Sequence, residues 1–266
     1  LLLPALMMMP KKGPRRPGLL GIGTDWFVLA YYAVQIAVMV PYASTTDLVR
    51  QSFVLAIDTL LPYWVFSRAF NQPEALTGAM RAYVLVALIL SVLAMFESVR
   101  RWPLYDAVSV HWGIDWDMIV FLERAGFLRA KASAGHSLML GCVLLIAWGW
   151  WGVVRTELKS RVWVWLGTLA LIAGLAASLA RGSWLGAAFL TVMMLAMGRA
   201  PVKHLILLAL GGVFFLGIAA VVPALSFVID MLPFVGNVDS ENVEYRQRLL
   251  EISLGLIRQS PWLGVP

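Results

Sequence analysis

Two long apolar runs, residues 162–180 and 182–198, follow each other in this chain with only Arg181 between them. A helix needs about 17–25 predominantly apolar residues to cross the hydrocarbon core of a bilayer, and each run has about that length. The arginine between the runs then lies at a membrane face. A cation there is costly unless it reaches water, pairs with a carboxylate or holds an anionic ligand. Arg181 is therefore the first candidate functional residue.

The composition extends this argument to the whole chain. Of the 266 residues, 61% are hydrophobic and only 14% are charged, and the mean hydropathy is +0.80. A water-soluble domain could not bury so much apolar surface in one core. The apolar runs are long and contain glycine and proline, which favours helices over a barrel, whose strands would alternate. The predicted fold class is all-α, a polytopic transmembrane helical bundle.

Seven apolar segments have about the length of a membrane span. They are residues 26–40, 48–66, 82–96, 136–154, 162–180, 182–197 and 204–222. We therefore expect residues 1–222 to form the transmembrane bundle and residues 223–266 to begin a loop that follows it. The chain opens without methionine on a short apolar stretch and stops soon after an amphipathic segment, so we expect it to be a piece of a longer protein.

The basic residues predict how the bundle is oriented. Lys11, Lys12, Arg15 and Arg16 form a dense basic loop, which the positive-inside rule assigns to the cytoplasm. Counting spans from that loop places every other short basic loop on the same side. It places residues 102–135, Arg181 and everything after Pro223 on the outer face.

The first outer loop, residues 102–135, mixes aromatic with acidic side chains. This mixture is typical of a helix lying in the headgroup layer, so we predict outer-face amphipathic helices there, acting mainly as an interfacial anchor. The loop ends with Arg129 and runs directly into the span that begins at His136. Arg129 is thereby predicted at the same boundary as Arg181.

A third arginine comes from the last segment, residues 237–264. Helix-start residues are followed by a helical pattern that ends before Pro261. On that helix Arg246 falls on the stripe formed by Val243, Leu250 and Ile257, without an acidic neighbour at helical spacing. Arg246 is therefore predicted to belong to the packed face and to be a functional candidate.

Further polar residues lie in or near the predicted spans. Asp58 lies near the middle of the second span with Pro62 one turn later, and it is either bonded to a neighbouring helix or carries protons. His136 is a candidate for ligand contact at the outer face. The single cysteine, Cys142, excludes an internal disulfide and a cysteine-based metal site. The sequence contains no phosphate-binding glycine loop and no HExxH motif. Asp115-Trp116-Asp117 has the form of a metal-binding DxD motif, but its aromatic interfacial context argues against that role. We expect no cofactor, no metal and no nucleic-acid partner.

Arg129, Arg181 and Arg246 come from three separate segments that the topology sends to one boundary. The diphosphate of a lipid carrier lies at that depth. Arginine stays charged and binds phosphate oxygens in a bidentate manner, so such a cluster can hold a diphosphate without a metal. In a glycosyl transfer the diphosphate leaves, and cations directed at its growing charge stabilise the transition state.

The order and spacing of three short motifs resemble the O-antigen ligase and polymerase superfamily over roughly residues 129–265. The motifs are Ser178-x-Ala180-Arg181-Gly182, Arg129-Ala130 with Gly135-His136 ahead of a span, and Tyr245-Arg246 followed by Pro261-Trp262-Leu263-Gly264. These polytopic enzymes use glycans linked to undecaprenyl pyrophosphate.

The resemblance implies a metal-independent, inverting glycosyltransferase at the periplasmic face of the bacterial inner membrane. Its donor would be a glycan on undecaprenyl pyrophosphate, and its acceptor a lipid A core or a growing polysaccharide. Arg129, Arg181 and Arg246 match the family's pyrophosphate and active-site arginines, and His136, Ser178 and Asp58 are further candidates. The family's general-base histidine lies beyond Pro266, so residues 1–266 alone are expected to be inactive.

Two other classes of function compete with this interpretation. A transporter or flippase for a lipid-linked oligosaccharide would place charges near the bilayer midplane, and Asp58 with Pro62 is the feature that supports it. A non-catalytic membrane scaffold would leave each arginine paired with a carboxylate or alone at the surface. Ligase and polymerase share these features, so the acceptor and the sugar stay open.

Overall fold

The computed structural model describes residues 23–70, 73–106, 111, 123–124, 127–198, 200–221, 240–259 and 261. These residues are almost entirely helical, which confirms the all-α fold class. The helices are α1 (Gly23–Met39), α2 (Thr45–Leu55), α3 (Leu61–Ala69), α4 (Pro73–Arg100), α5 (Ser137–Val154), α6 (Arg161–Ser178), α7 (Arg181–Ala196), α8 (Pro201–Val221) and α9 (Ser240–Gln259). A π-helical turn, Ala56–Leu60, joins α2 to α3 without a break.

Four of the helices in the described part of the chain are long and apolar enough to cross a membrane. They are Pro73–Arg100, Ser137–Glu157, Arg161–Ser178 and Pro201–Ala219, and each contains or largely overlaps a span predicted from the sequence. Helix α7 is also apolar but has only 16 residues. The protein is therefore a helical membrane protein, while the count of seven spans stays a prediction.

The chain divides into two compact units, which are described separately: Leu1–Thr77 with Asp239–Pro266, and Gly78–Val238. In the first unit, a buried ion pair ties α1 to α3. Both terminal nitrogens of Arg68 donate to the Asp25 carboxylate, at 3.0 and 2.7 Å, and the Tyr63 hydroxyl donates to the same carboxylate at 2.7 Å. Only 3% of Asp25 is exposed. The sequence predicted Arg68 in a basic loop and gave no sign of this pairing.

The second unit is built around close contacts between α4, α5, α6 and α7. Leu140, Leu144 and Leu171 are fully buried at its centre. Gly174 lies so close to α4 that a Cβ atom added there would be 2.5 Å from the Ser91 Oγ. Small residues let helix backbones approach in a membrane, where the hydrophobic effect does not press helices together. The glycine therefore sets the distance between α6 and α4.

The helices of the second unit alternate in direction, which defines two ends. The last turns of α4 and α6 and the first turns of α5 and α7 meet at one end, which contains Arg129 and Arg181 and is called the arginine end below. At the other end the Arg81 Nε donates to Glu157 at 2.7 Å. The 16 residues from Arg81 to Glu97 correspond to about 24 Å along α4. The two ends are thus separated by most of the thickness of a bilayer core.

In the loop 102–135, Asp106 and His111 are helical, and the amphipathic helix expected there stays a prediction. Glu123–Arg124 and Phe127–Leu128 form a short antiparallel ribbon, and Ala132–Ala134 form a single 3₁₀ turn. The backbone N–H and C=O groups of the two short strands bond to each other. The pattern of aromatic and acidic residues in the sequence does not predict this ribbon. Three aromatic residues of the predicted anchor, Trp112, Trp116 and Phe121, lie outside the described residues.

Candidate functional site

The turn between α6 and α7 carries Arg181 at the arginine end. Leu179 adopts a left-handed conformation with φ of 48°, which lets the chain reverse within two residues. The buried Ser178 hydroxyl donates to the Leu175 carbonyl at 2.7 Å and accepts from the Ala180 N–H at 3.3 Å. These bonds give Ser178 a structural role in the turn, and its predicted contact with a ligand stays a prediction.

Arg181 is the first residue of α7. The backbone N–H groups of a helix's first turn have no partner within the helix, and the dipole makes that end positive, so anions are favoured there. The residue is half-buried and its Nε atom is fully buried. The predicted position of Arg181 between two apolar helices is confirmed.

Arg129 lies on an extended segment that is tied to the same turn. The Ala130 N–H donates to the Ala177 carbonyl at 3.0 Å, four residues before Arg181. Leu128, Ala130 and Ala132 are buried while Arg129 and Lys131 between them are half-buried. Alternation of this kind turns successive side chains to opposite sides of an extended chain. The structure therefore brings the backbones that carry Arg129 and Arg181 together, from segments almost fifty residues apart.

Lys131 extends the positive charge of this segment. Its ammonium group pairs with Asp106, and both side chains are largely buried. The pair connects the segment of Arg129 to the chain that follows α4. Sequence reasoning had not selected either residue.

His136 caps the N-terminus of α5. Its Nδ1 accepts a hydrogen bond from the Leu138 N–H at 3.1 Å. Burial lowers the pKa of His136 below its ordinary value of 6.5, and the positive charges of Arg129 and Lys131 lower it further. The imidazole is therefore neutral at pH 7, and its predicted ligand contact would be made by a neutral ring.

The next residue, Ser137, adds a polar atom at the same helix end. It is 1% exposed, and in the described structure its Oγ is buried without a hydrogen-bond partner. A buried hydroxyl without a partner costs free energy. Among the described residues, the Ser137 hydroxyl is therefore a polar group at the arginine end without a hydrogen-bond partner.

An apolar groove of about 630 Å³ begins beside the Arg181 turn. Leu179 and Trp184 line it next to Arg181, and Phe127 lines it two residues before Arg129. The alanines at 173, 176 and 177 leave room along α6, and Phe215 of α8 lies on the far wall. The groove is lined almost only by carbon atoms, and neither Arg129 nor Arg181 is among its lining residues.

Glu97 is a buried residue of this end that the sequence analysis missed. Its carboxylate is 0% exposed. It accepts hydrogen bonds from the backbone N–H of Leu104, just after α4, and from those of Lys131 and Ala132, just before α5. A signal was present, because Val84, Ala87, Ser91, Ala94 and Glu97 form one helical stripe of buried residues. The predicted span ended at residue 96, so Glu97 was assigned to a loop.

Two predicted site residues lie in the other unit. Arg246 is part of α9, as predicted from the helical pattern, but its side chain lies outside the described residues. Asp58 lies on the π turn with its side chain exposed. The meeting of Arg246 with Arg129 and Arg181, and the role of Asp58, stay predictions.

Arg129 and Arg181 are of the residue type that binds anions, and their role in binding a diphosphate stays a prediction. Among the described residues, no group of three or more His, Cys, Asp or Glu side chains is close enough to hold a metal ion. Metal independence itself stays a prediction.

The likeness to the O-antigen ligase and polymerase superfamily rests on the motifs. A scan against protein-family models, a search of curated proteins and a search of solved structures each found no match. The function is therefore argued from the geometry of the site together with these motifs.

Proposed function

We propose that this chain forms part of a glycosyltransferase of the bacterial inner membrane, of the O-antigen ligase or polymerase type. It would move a glycan from undecaprenyl pyrophosphate to a lipid A core or a growing polysaccharide at the periplasmic face. The observation that carries the proposal is the hydrogen bond from Ala130 to Ala177, which joins the Arg129 segment to the Arg181 turn. Two guanidinium-bearing segments thereby meet at one end of a membrane bundle.

The groove supports a lipid-linked donor over a soluble one. A carrier lipid has a long hydrocarbon chain and a diphosphate head, and the groove offers apolar walls that end beside the cationic turn. A water-soluble nucleotide sugar would gain nothing from such walls. An apolar groove next to a cationic turn favours an amphiphilic substrate.

The transfer step follows from this arrangement. An acceptor hydroxyl attacks the anomeric carbon, the bond from that carbon to the diphosphate oxygen breaks, and its electron pair leaves with the diphosphate. Arg129 and Arg181 stabilise the growing negative charge, which is larger in the transition state than in the ground state. The proton of the hydroxyl goes to a base, which the resemblance places beyond Pro266.

The test is glycan transfer by the purified full-length protein in liposomes, with a defined undecaprenyl-pyrophosphate glycan. Lipid A core and a second lipid-linked glycan would be offered as rival acceptors. Arg181→Ala is expected to lower the rate by about 10²–10³, the usual cost of removing one such charge-stabilising donor. Arg181→Lys should recover only part of the rate, because an ammonium group cannot bind bidentately.

Arg161→Ala is the matched control, because Arg161 is exposed at the start of α6, at the opposite end of the bundle. It should leave the rate unchanged. Transfer that survives Arg181→Ala would refute the proposal. Movement of the intact lipid-linked glycan across the bilayer without transfer would establish the flippase instead.

A further inference from the structure

The fully buried carboxylate of Glu97 takes no direct part in the site proposed above. It lies in the last turn of α4, about 24 Å from the Arg81 end. Burying a charge is costly unless hydrogen bonds compensate for the lost water. Its Oε1 accepts from the Leu104 N–H at 2.9 Å, and its Oε2 accepts from the N–H groups of Lys131 and Ala132 at 3.0 and 2.8 Å.

The two bonds to Oε2 come from adjacent backbone groups. Lys131 has φ of −122° and ψ of −18°, and Ala132 has φ of 44°. A pair of residues with right-handed and then left-handed character directs successive N–H groups into one concavity, which binds an anion. Here the anion is supplied by the protein itself.

The left-handed Ala132 is strained, because its Cβ approaches the following carbonyl oxygen. Such a conformation costs about 1–2 kcal/mol in a residue other than glycine, and it persists only where the surroundings enforce it. The carboxylate of Glu97 accepts hydrogen bonds from the N–H of the strained Ala132 and from that of Lys131 before it. It therefore stabilises a backbone shape that the alanine would not adopt alone.

This shape determines where Arg129 lies. The segment is bonded to α6 through Ala130 and to α4 through Lys131 and Ala132. Arg129 is the residue immediately before these three anchors. Release of the α4 anchor would leave the segment attached through the bond to Ala177, the ion pair of Lys131 with Asp106 and the ribbon at Phe127–Leu128. The backbone at Ala132 could then leave its left-handed conformation and change the direction of Arg129.

We propose that Glu97 is a positioning residue, which holds the Arg129 guanidinium in the orientation that anion binding at the arginine end requires. The proposal deepens the proposed function and rests on it for its consequence in catalysis. Its structural part, the control of Arg129 by Glu97, can be measured without any transfer activity.

The variant is Glu97→Gln in the full-length protein, since an amide keeps the shape of the side chain but replaces one acceptor oxygen with a donor. The first readout is hydrogen exchange in the segment 127–136, together with the reactivity of Arg129 towards phenylglyoxal by mass spectrometry. Both are expected to rise several-fold, while the reactivity of the exposed Arg161 stays constant. Glu157→Gln, the matched change at the opposite end, should alter neither readout at Arg129.

The second readout is a double-mutant cycle on kcat/KM. Glu97→Gln alone should lower kcat/KM on the order of 10²-fold, as expected for a small displacement of a binding group. In an Arg129→Ala background, Glu97→Gln should lower kcat/KM little further, because the guanidinium group that Glu97 positions has already been removed. An equal loss in both backgrounds would reduce Glu97 to a general structural role.

The outcomes separate the two proposals. Unchanged exchange and unchanged Arg129 reactivity in Glu97→Gln would overturn the positioning role, whatever the enzyme does. Faster exchange and higher Arg129 reactivity in a protein that shows no transfer would refute the proposed function and still support control of Arg129 by Glu97. The measurements use Glu97→Gln and Glu97→Asp, because Glu97→Ala would remove all three hydrogen bonds and could prevent folding.

Discussion

Two polar side chains of the arginine end, Glu97 and His136, accept hydrogen bonds from backbone N–H groups. Glu97 binds three N–H groups of two connecting segments, and His136 binds the N–H of Leu138 in the helix that it caps. Each side chain therefore stabilises a helix end or loop besides contributing charge or polarity. A substitution here affects folding and binding together, so each test needs a variant that preserves the structural bond.

The pKa of His136 predicts an effect of pH on stability. Burial and two neighbouring cations lower this pKa below 6.5 in the folded protein, whereas the unfolded chain has a pKa near 6.5. Below that pH the unfolded chain takes up a proton that the folded protein does not, so stability is full above about pH 6.5 and is lost as the pH falls through the folded pKa. The loss should be under about 1 kcal/mol, the usual value of one N-cap.

His136→Asn provides the comparison, since asparagine caps a helix without titrating. Thermal unfolding in detergent at pH 7.5 and pH 5.5 would measure both proteins. The unfolding temperature of the native protein should fall more than that of the variant on acidification. Parallel curves would show that protonation of His136 does not weaken the cap.

At the scale of elements, the second unit depends on where its helices touch. The indole N–H groups of Trp148 and Trp151 donate to Thr191 and Thr168, both at 2.9 Å, which connects α5 to α7 and to α6. Gly174 lets α6 approach Ser91 of α4. These contacts combine small residues with satisfied polar groups, as expected where lipid replaces water around the helices.

Gly174→Ala should therefore destabilise the bundle, although alanine favours a helix by about 1 kcal/mol over glycine. The new Cβ would lie 2.5 Å from the Ser91 Oγ and 2.8 Å from its Cα, so backbone must move, at a typical cost of about 1–3 kcal/mol. Gly149→Ala is the control, since its Cβ would meet no atom closer than 3.6 Å. The unfolding temperature in detergent should fall for the first variant alone, and an equal effect of both would contradict this packing.

For the whole molecule, the membrane sets the direction in which the site must face. The basic loops predict that the arginine end is outside the cytoplasm. A lipid-linked glycan at the periplasmic face could reach the groove only if this orientation holds. The orientation is therefore the condition on which the proposed function depends at this scale.

Cysteine labelling can test the orientation. In a Cys142→Ala background, Ser133→Cys at the arginine end and Thr156→Cys at the opposite end are both exposed positions. A membrane-impermeant maleimide should label Ser133→Cys in intact cells and Thr156→Cys only after permeabilisation. The reverse pattern would place the arginines in the cytoplasm and rule out the periplasmic transfer.

The amino-acid sequence alone determined the membrane class, the all-α fold and the break between α6 and α7 at Arg181. These properties follow from the local density of apolar residues and from the number of residues that a bilayer requires, so neighbouring residues suffice to predict them. The helical pattern around Arg246 was readable for the same reason.

Only the tertiary structure decided that the Arg129 segment meets the Arg181 turn, that Glu97 anchors it and that Asp25 pairs with Arg68. Each of these contacts joins residues far apart in the chain, and their strength comes from burial and from hydrogen bonds to backbone groups. No periodic pattern records which distant backbone a buried carboxylate will meet, because that depends on how the helices pack.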